Sequence, residues 1–192
     1  MNGSTLLKKT RYDYFLIWGN GIQYKHAILD IIRRQPSIHI VKIQNHIPNS
    51  IPKFVKTIYS YDYAPLQHLK AKTNYLLKTD PDVMFIFVHN QDVQEVYRGK
   101  GAFRHIECEQ ITIIKKEIRD KFNPRQNGKR TEEHVIHASD NESQVDHILR
   151  YLGYKTGLNL FKHVPNPLLT LPYYLGKFDK FSIQRINASQ LY

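Results

Sequence analysis

Apolar residues recur along the chain with two different periods, and the change between them predicts alternating strands and helices. Strands are predicted where β-branched and aromatic residues form short runs, at 12–18, 37–44, 83–88 and 133–137. The run at 83–88 is apolar throughout, which is typical of a central strand. Helices are predicted where apolar residues lie three or four apart, at 22–34, in two short segments between Pro52 and Lys78, and at 90–98, 107–121 and 141–152.

The order of these elements predicts the architecture. A chain of 192 residues suits one domain with additions at its edges. Strands and helices in this order can form a ferredoxin-like four-stranded sheet with helices on one face, in an α/β domain of the α+β sandwich type. We expect a basic N-terminal arm at 1–11, the domain at 12–155 and a C-terminal extension at 156–192. Three prolines, Pro165, Pro167 and Pro172, predict that this extension is extended and packed on the domain.

The excess of positive charge indicates which kind of partner the protein binds. The chain has 28 Lys and Arg against 17 Asp and Glu, a formal net charge of +11, which favours anionic partners such as nucleotide phosphates. Nucleic acid is compatible with this charge but not favoured, because no block of consecutive basic residues marks a binding arm. Cys108 is the single cysteine, which excludes an internal disulfide. No apolar run approaches the ~20 residues of a membrane helix, so we expect a soluble, cytoplasmic protein without a membrane span.

His137 is the strongest candidate for a chemical centre. It stands at the end of the predicted fourth strand, and the segment Ser139-Asp140-Asn141-Glu142 behind it matches a capping box that starts a helix. The free backbone N–H groups of a helix start attract anions. A neutral imidazole beside an anion site can be a nucleophile toward phosphorus or a general base. The structural alternative is a histidine that is hydrogen-bonded at a strand end.

Three segments resemble the nucleoside diphosphate kinase family. Val135-Ile136-His137-Ala138-Ser139-Asp140 looks like the signature that carries the phosphorylated histidine of that family. Glu117–Phe122 resembles the arginine-bearing segment before the signature, and Phe15–Gln23 resembles the first strand and its turn. The resemblance implies the fold of that family and a nucleotide-dependent phosphotransferase that forms a phosphohistidine at His137. It also implies Mg²⁺ that travels with ATP or another nucleoside triphosphate, so no protein-held metal site is predicted.

The resemblance extends to individual residues only in part. Arg119 matches an arginine that contacts phosphates, and Ser139 and Asp140 keep the family's residue types. His134 stands where the family has an asparagine that binds the nucleotide sugar. His134 and His137 lie three apart in a predicted strand and should point to opposite faces, which argues against a shared metal. The loop that supplies another phosphate-contacting arginine in the family offers three candidates, which the spacing does not distinguish: Arg98, Lys100 and Arg104.

Two departures bear directly on activity. Trp18 stands where the family has a catalytic lysine, and it either offers a stacking surface or belongs to the core. No glutamate stands where the family orients its histidine; His147 or Ile148 is there instead. We therefore expect a phosphoryl acceptor that need not be a nucleoside diphosphate and that the sequence does not identify. The alternatives are a nucleotide- or nucleic-acid-binding module without turnover, and a domain whose extension docks on a partner chain. The family forms closed oligomers, so a homo-oligomer is compatible with the resemblance.

Overall fold

The computed structural model describes residues 9–62, 66–101 and 104–162, and the predictions for most of the N-terminal arm and of the C-terminal extension lie outside these residues. The elements follow in chain order: β1 (Arg11–Ile17), a 3-10 helix (Gly19–Tyr24), α1 (Lys25–Arg33), β2 (Ile38–His46), α2 (Ile51–Ile58), α3 (Leu66–Leu76), β3 (Val83–Asn90), β4 (Glu95–Arg98), β5 (His105–Cys108), α4 (Glu109–Phe122), β6 (Arg125–Gln126), β7 (Lys129–Arg130), β8 (Ile136–Ala138), α5 (Glu142–Tyr151) and α6 (Asn159–Lys162).

The central sheet has four strands in the order β2-β3-β1-β8, and its neighbouring strands run antiparallel. This is the ferredoxin-like order that the alternation of elements predicts. Strand β8 is short and pairs with the end of β1, where His137 lies opposite Leu16. His137 therefore lies on an edge strand, and its partner in β1, Leu16, is fully buried.

One face of the sheet packs against α1 and α4. The apolar side chains on this face belong to one buried cluster, in which α1 contributes Ile28, Ile31 and Ile32 and α4 contributes Ile111, Ile114 and Ile118. The helical spacing of three and four residues in both helices brings these isoleucines to one side, as the sequence pattern predicts. Burial of aliphatic area on this face stabilises the domain.

The other face of the sheet is also covered, which corrects the expectation of helices on one face only. Phe54 of α2 packs edge-on against Phe85 of β3 and against Trp18. Helix α5 contacts β1 on the same side. Because both faces are covered, six of the seven residues of β1 are buried. Trp18 is completely buried, so it belongs to the core and offers no stacking surface.

Three local predictions were wrong in detail. The segment predicted as a helix at 90–98 contains strand β4, because Val96 and Tyr97 pair with Glu107 and Ile106 of β5. The residue that caps α5 is Asn141, whose side chain accepts a hydrogen bond from the backbone N–H of Gln144, and not the first residue of the predicted capping box. Strand β8 begins later than predicted, so His134 precedes it. No helix in the described part of the chain is long and apolar enough to cross a membrane.

Candidate functional site

A cavity of about 740 Å³ opens beside β8, and its wall includes residues from α3, α4 and the segment before β8. Three residues selected from the sequence, Arg119, His134 and His137, meet in this wall. A smaller hollow of about 470 Å³, lined by residues such as Gln35 and Gln91, contains none of them. The larger cavity is therefore the candidate site.

His137 lies on the sheet face that α2 and α5 cover. The residue is 5% exposed, and its ring centroid lies 4.8 Å from that of Tyr59 and 6.0 Å from that of Tyr14. Its Nε2 atom is buried and makes no hydrogen bond within the described structure. Burial, followed by the charges of Lys115, Lys72 and Arg119, lowers the pKa of His137 well below its usual value. The imidazole is therefore neutral near neutral pH, which is the nucleophilic form.

Asp62 approaches His137 from the turn that follows α2. Its Oδ2 atom lies 4.0 Å from Nε2 of His137, and its side chain is 12% exposed. The Oδ1 atom accepts a hydrogen bond of 2.6 Å from Nε2 of Gln144. Burial, and then the neighbouring charge of Asp140, raises the pKa of Asp62 to about 7. This carboxyl group therefore changes its charge within the physiological range.

Arg119 comes from the last turns of α4 and reaches the strand that carries His137. Its Nε and Nη2 atoms donate hydrogen bonds of 3.2 and 3.0 Å to the backbone carbonyl of Ile136. Within the described residues it forms no ion pair with a carboxylate at 4.0 Å or less. Burial lowers the pKa of Arg119, although a guanidinium stays charged in proteins. A half-buried cation without an anionic partner in a cavity wall favours an anionic ligand.

Lys72 is a second basic residue in the same wall, and the sequence interpretation missed it. It is 7% exposed, and its Nζ atom lies 4.5 Å from the centroid of the Trp18 ring. The ammonium group donates hydrogen bonds to the Tyr75 hydroxyl and, at 3.3 Å, to the backbone carbonyl of His134. Burial, followed by the charge of Arg119, lowers its pKa well below the usual value. The sequence of α3 does not mark Lys72, because the helix is mostly polar and only the folded structure shows that Lys72 and Leu76 are its two buried residues.

His134 lies beside Lys72 and faces the same cavity as His137. The two histidines were predicted to point to opposite faces, which is wrong because strand alternation does not apply to a residue that precedes β8. Nε2 of His134 lies 2.9 Å from a carboxylate oxygen of Glu132. Burial and the charge of Arg119 lower the pKa of His134 to about 3. This imidazole is therefore also neutral.

Four predicted phosphate contacts lie outside the cavity wall. Ser139 is fully engaged elsewhere, since its Oγ accepts a hydrogen bond from the Tyr14 backbone N–H and donates one to Asp13, both of 3.0 Å. The other three belong to the β4–β5 hairpin: Arg98 lies 3.6 Å from Glu109, Arg104 lies over the Tyr97 ring, and Lys100 is exposed in the turn. The structure does not bring these residues to His137.

One group of side chains near the cavity has the composition of a metal site. The donor atoms of His105, Glu107 and Asp140 lie within 4.8 Å of one another. One imidazole nitrogen with two carboxylates suits a transition metal better than Mg²⁺, which prefers oxygen ligands and retains water. Lys115 Nζ lies 3.9 Å from Asp140 and already supplies positive charge there. The donor set therefore does not fit a Mg²⁺ ion held by these side chains.

Comparison with solved structures identifies the fold. A nucleoside diphosphate kinase from Aquifex aeolicus superimposes with a TM-score of 0.50 at 11% identity, over 78% of this chain and 99% of that chain. The enzyme from Borrelia burgdorferi, solved as a transition-state mimic with vanadate and ADP, gives 0.49 at 17% identity over 77% and 89%. The enzyme from Encephalitozoon cuniculi gives 0.43 at 15% identity over 76% and 88%.

The likeness to these enzymes lies in the fold, because only 11% of the residues are identical to those of the Aquifex aeolicus enzyme. No family model matches the chain. No curated protein matches it either. The order of the strands and the coverage of nearly the whole Aquifex aeolicus enzyme agree with the fold that the resemblance of the histidine segment implies. The chain has a nucleoside diphosphate kinase-like fold.

Proposed function

We propose that the protein is a nucleotide-dependent phosphotransferase in which His137 relays the phosphoryl group. The observation that carries the proposal is that a neutral imidazole and two basic side chains line one cavity: Lys72 and Arg119 have no carboxylate partner among the described residues, and a bound phosphate would favour the charged form of Lys72. Cations in a partly buried wall bind phosphate oxygens strongly because their charge is poorly screened. His137 on β8, Lys72 on α3 and Arg119 on α4 thus line the same cavity.

The reaction proceeds in two displacements. A ring nitrogen of His137 attacks the terminal phosphorus of ATP, a P–N bond forms, and the P–O bond to the departing nucleoside diphosphate breaks. Lys72 and Arg119 hold the phosphate oxygens on which negative charge is distributed. An acceptor oxygen then attacks the same phosphorus, and the electron pair of the P–N bond returns to the ring. Mg²⁺ bound to the nucleotide supplies additional charge neutralisation.

The acceptor proposed here need not be a nucleoside diphosphate. Trp18 fills the position of the family's lysine with a completely buried ring, and Lys72 reaches that ring from a different element. The carboxyl groups of Asp62, Glu107 and Asp140 also line the cavity, and a carboxylate can accept a hydrogen bond from a hydroxyl-bearing acceptor.

The first test is labelling with ATP that carries the label on its terminal phosphate, in the presence of Mg²⁺. We expect label on the protein that is stable in base and labile in acid. His137→Ala should remove the label, and His26→Ala, which changes an exposed histidine of α1, should retain it. Labelling of His137→Ala at the wild-type level would contradict the relay.

The second candidate function is a nucleotide-binding module without turnover. The buried ring of Trp18 favours it, because the position of the family's catalytic lysine contains no cation. Measurable binding of ATP by calorimetry, together with no label on the wild-type protein, would support this function over phosphotransfer. A salt-dependent affinity for single-stranded nucleic acid that exceeds the affinity for ATP would instead favour a nucleic-acid ligand.

A further inference from the structure

We propose that Asp62 is the positioning residue of His137: its carboxylate keeps the ring proton on Nε2 and leaves the lone pair on Nδ1 as the nucleophile. The chemical consequence rests on the proposed function, whereas the choice of tautomer does not depend on it. In a neutral imidazole one nitrogen carries the proton and the other carries the lone pair, and the partner of one nitrogen fixes the role of the other.

The first observation is the unsatisfied nitrogen of His137. Its Nε2 atom is buried and has no hydrogen-bond partner within the described residues. A buried polar atom without a partner costs free energy, so a nearby acceptor is favoured strongly. Oδ2 of Asp62 lies 4.0 Å from this nitrogen, and a shift of about 1 Å would form a hydrogen bond. Hydrogen bonds of catalytic groups are often longer before the ligand binds.

The second observation is the anchoring of Asp62 by Gln144. The Gln144 side chain is 2% exposed and donates from Nε2 to Oδ1 of Asp62 at 2.6 Å. Its Oε1 atom accepts a hydrogen bond of 2.6 Å from the backbone N–H of Asp140. These two bonds fix which end of the Gln144 amide faces Asp62. One carboxylate oxygen is therefore held, and the other is directed toward the His137 ring.

The charged groups around Asp62 are mixed in sign. Asp140 and Glu107 disfavour its ionisation, whereas Lys115 and His105 favour it. Above about pH 7 the carboxylate form predominates and can only accept a hydrogen bond. An acceptor opposite Nε2 requires the Nε2–H tautomer of His137, which places the lone pair on Nδ1.

This tautomer determines the direction of the chemical step. The lone pair of Nδ1 forms the P–N bond, and the electrons of the breaking P–O bond leave with the nucleoside diphosphate. The proton stays on Nε2, and the Asp62 carboxylate balances the positive charge that develops on the ring. In the second displacement the P–N electron pair returns to Nδ1, and the ring is regenerated as the same tautomer.

The test is a measurement of the His137 tautomer by long-range ¹H–¹⁵N correlation, at about pH 8 so that Asp62 is ionised. The His137 signal is assigned by its loss in His137→Ala. We expect Nε2–H in the wild-type protein. In Asp62→Asn the oxygen faces Gln144, so the new NH₂ group faces the ring and should reverse the tautomer to Nδ1–H. Asp30→Asn, an exposed change on α1, should leave the tautomer unchanged.

Labelling of the same variants supplies the second readout. The reversed tautomer removes the nucleophilic lone pair, so Asp62→Asn should lower the rate of label transfer by at least about 100-fold, while its affinity for ATP changes little. Asp62→Glu retains an acceptor and should restore the wild-type tautomer. Gln144→Ala, which keeps the carboxylate but frees it, should give a mixture of tautomers.

The outcomes separate this inference from the proposed function. A wild-type tautomer of Nδ1–H, or a tautomer that Asp62→Asn leaves unchanged, would overturn the positioning role. A wild-type tautomer of Nε2–H that reverses in Asp62→Asn would support it, even if ATP labels neither protein. Absence of label on the wild type would overturn the proposed phosphotransfer alone.

Discussion

The two faces of the central sheet contain different kinds of side chain. The face under α1 and α4 is almost entirely aliphatic. The face under α2 and α5 is aromatic and polar, and three buried atoms on it lack hydrogen-bond partners within the described structure: Tyr14 Oη, Trp18 Nε1 and His137 Nε2. Each unsatisfied buried polar atom costs about 1–3 kcal/mol. We therefore expect the aliphatic face to contribute mainly to stability, and the other face to contain polar atoms whose burial lowers stability.

The largest expected effect on the free energy of unfolding comes from a substitution on the aliphatic face. Phe15 is completely buried there, and Phe15→Ala should lower the free energy of unfolding by about 3–5 kcal/mol through lost burial and the cavity it leaves. Urea denaturation followed by circular dichroism measures the change. A loss of less than about 1 kcal/mol would mean that this face is not the main source of stability.

The second effect is a pH-dependent increase in the free energy of unfolding when Asp62, on the polar face, is replaced by Asn. The folded-state pKa of Asp62, about 7, exceeds the ordinary value of 3.8, so the folded protein holds a proton that the unfolded chain has released between these values. Stability from this group is therefore lost as pH rises toward 7. Asp62→Asn should gain at most about 4 kcal/mol above pH 7, since one pKa unit equals about 1.4 kcal/mol.

The measurement is denaturation of wild type and Asp62→Asn at a series of pH values. The difference between them should be close to zero near pH 4 and largest above pH 7. A constant difference across this range would show that the carboxyl group is not strained by burial. The same variant is expected to lose phosphorylation, so greater stability and lower activity should occur together.

A smaller effect is expected from Lys72→Met. Replacing a buried cation by an apolar side chain of similar length should raise the free energy of unfolding by about 1–2 kcal/mol. It should also weaken ATP binding by about tenfold, because a cation that contacts phosphate is lost. Calorimetric titration measures the affinity. The matched control is Lys70→Met, which removes an exposed lysine of the same helix and should alter neither quantity.

The smallest effect is expected from Tyr14→Phe. The Tyr14 hydroxyl is buried without a hydrogen-bond partner among the described residues, so its removal should be neutral or stabilising by up to about 1 kcal/mol. Thermal unfolding of the wild type and the variant provides the comparison. A loss of stability of more than about 1 kcal/mol would show that the hydroxyl forms a hydrogen bond in the folded protein. The polar face would then contain fewer unsatisfied atoms than inferred.

The sequence predicted the parts of the molecule that depend on local pattern. The four strands of the sheet and the helix that buries Ile111, Ile114 and Ile118 follow from periodicity. His137 and Arg119 were found together because both lie in segments that resemble the family. Strand β4 was mistaken for a helix because Val93 and Val96 lie three apart, whereas pairing with β5 decides its conformation.

The remaining site residues depend on tertiary packing. Asp62 lies in a turn that carries no sequence signal of a site; in the structure Gln144 of α5 holds its carboxyl group, and Asp62 lies 4.0 Å from His137. Lys72 belongs to a mostly polar helix in which nothing marks one lysine over another until Trp18 and Tyr75 enclose it. Contacts between residues far apart in the chain carry no periodic signal, so the residues around the nucleophile were missed.

The packing of α3 has a consequence for the motions of the domain. Only Lys72 and Leu76 of its described side chains are buried, so this helix has little apolar area to hold it in place. An anion that binds Lys72 would also hold the helix, and the free energy of local opening should then rise with the logarithm of ligand concentration. Amide hydrogen exchange in α3 should therefore slow as ATP is added, while exchange in α1 stays unchanged. Hydrogen exchange in α3 would thereby measure whether the site is occupied.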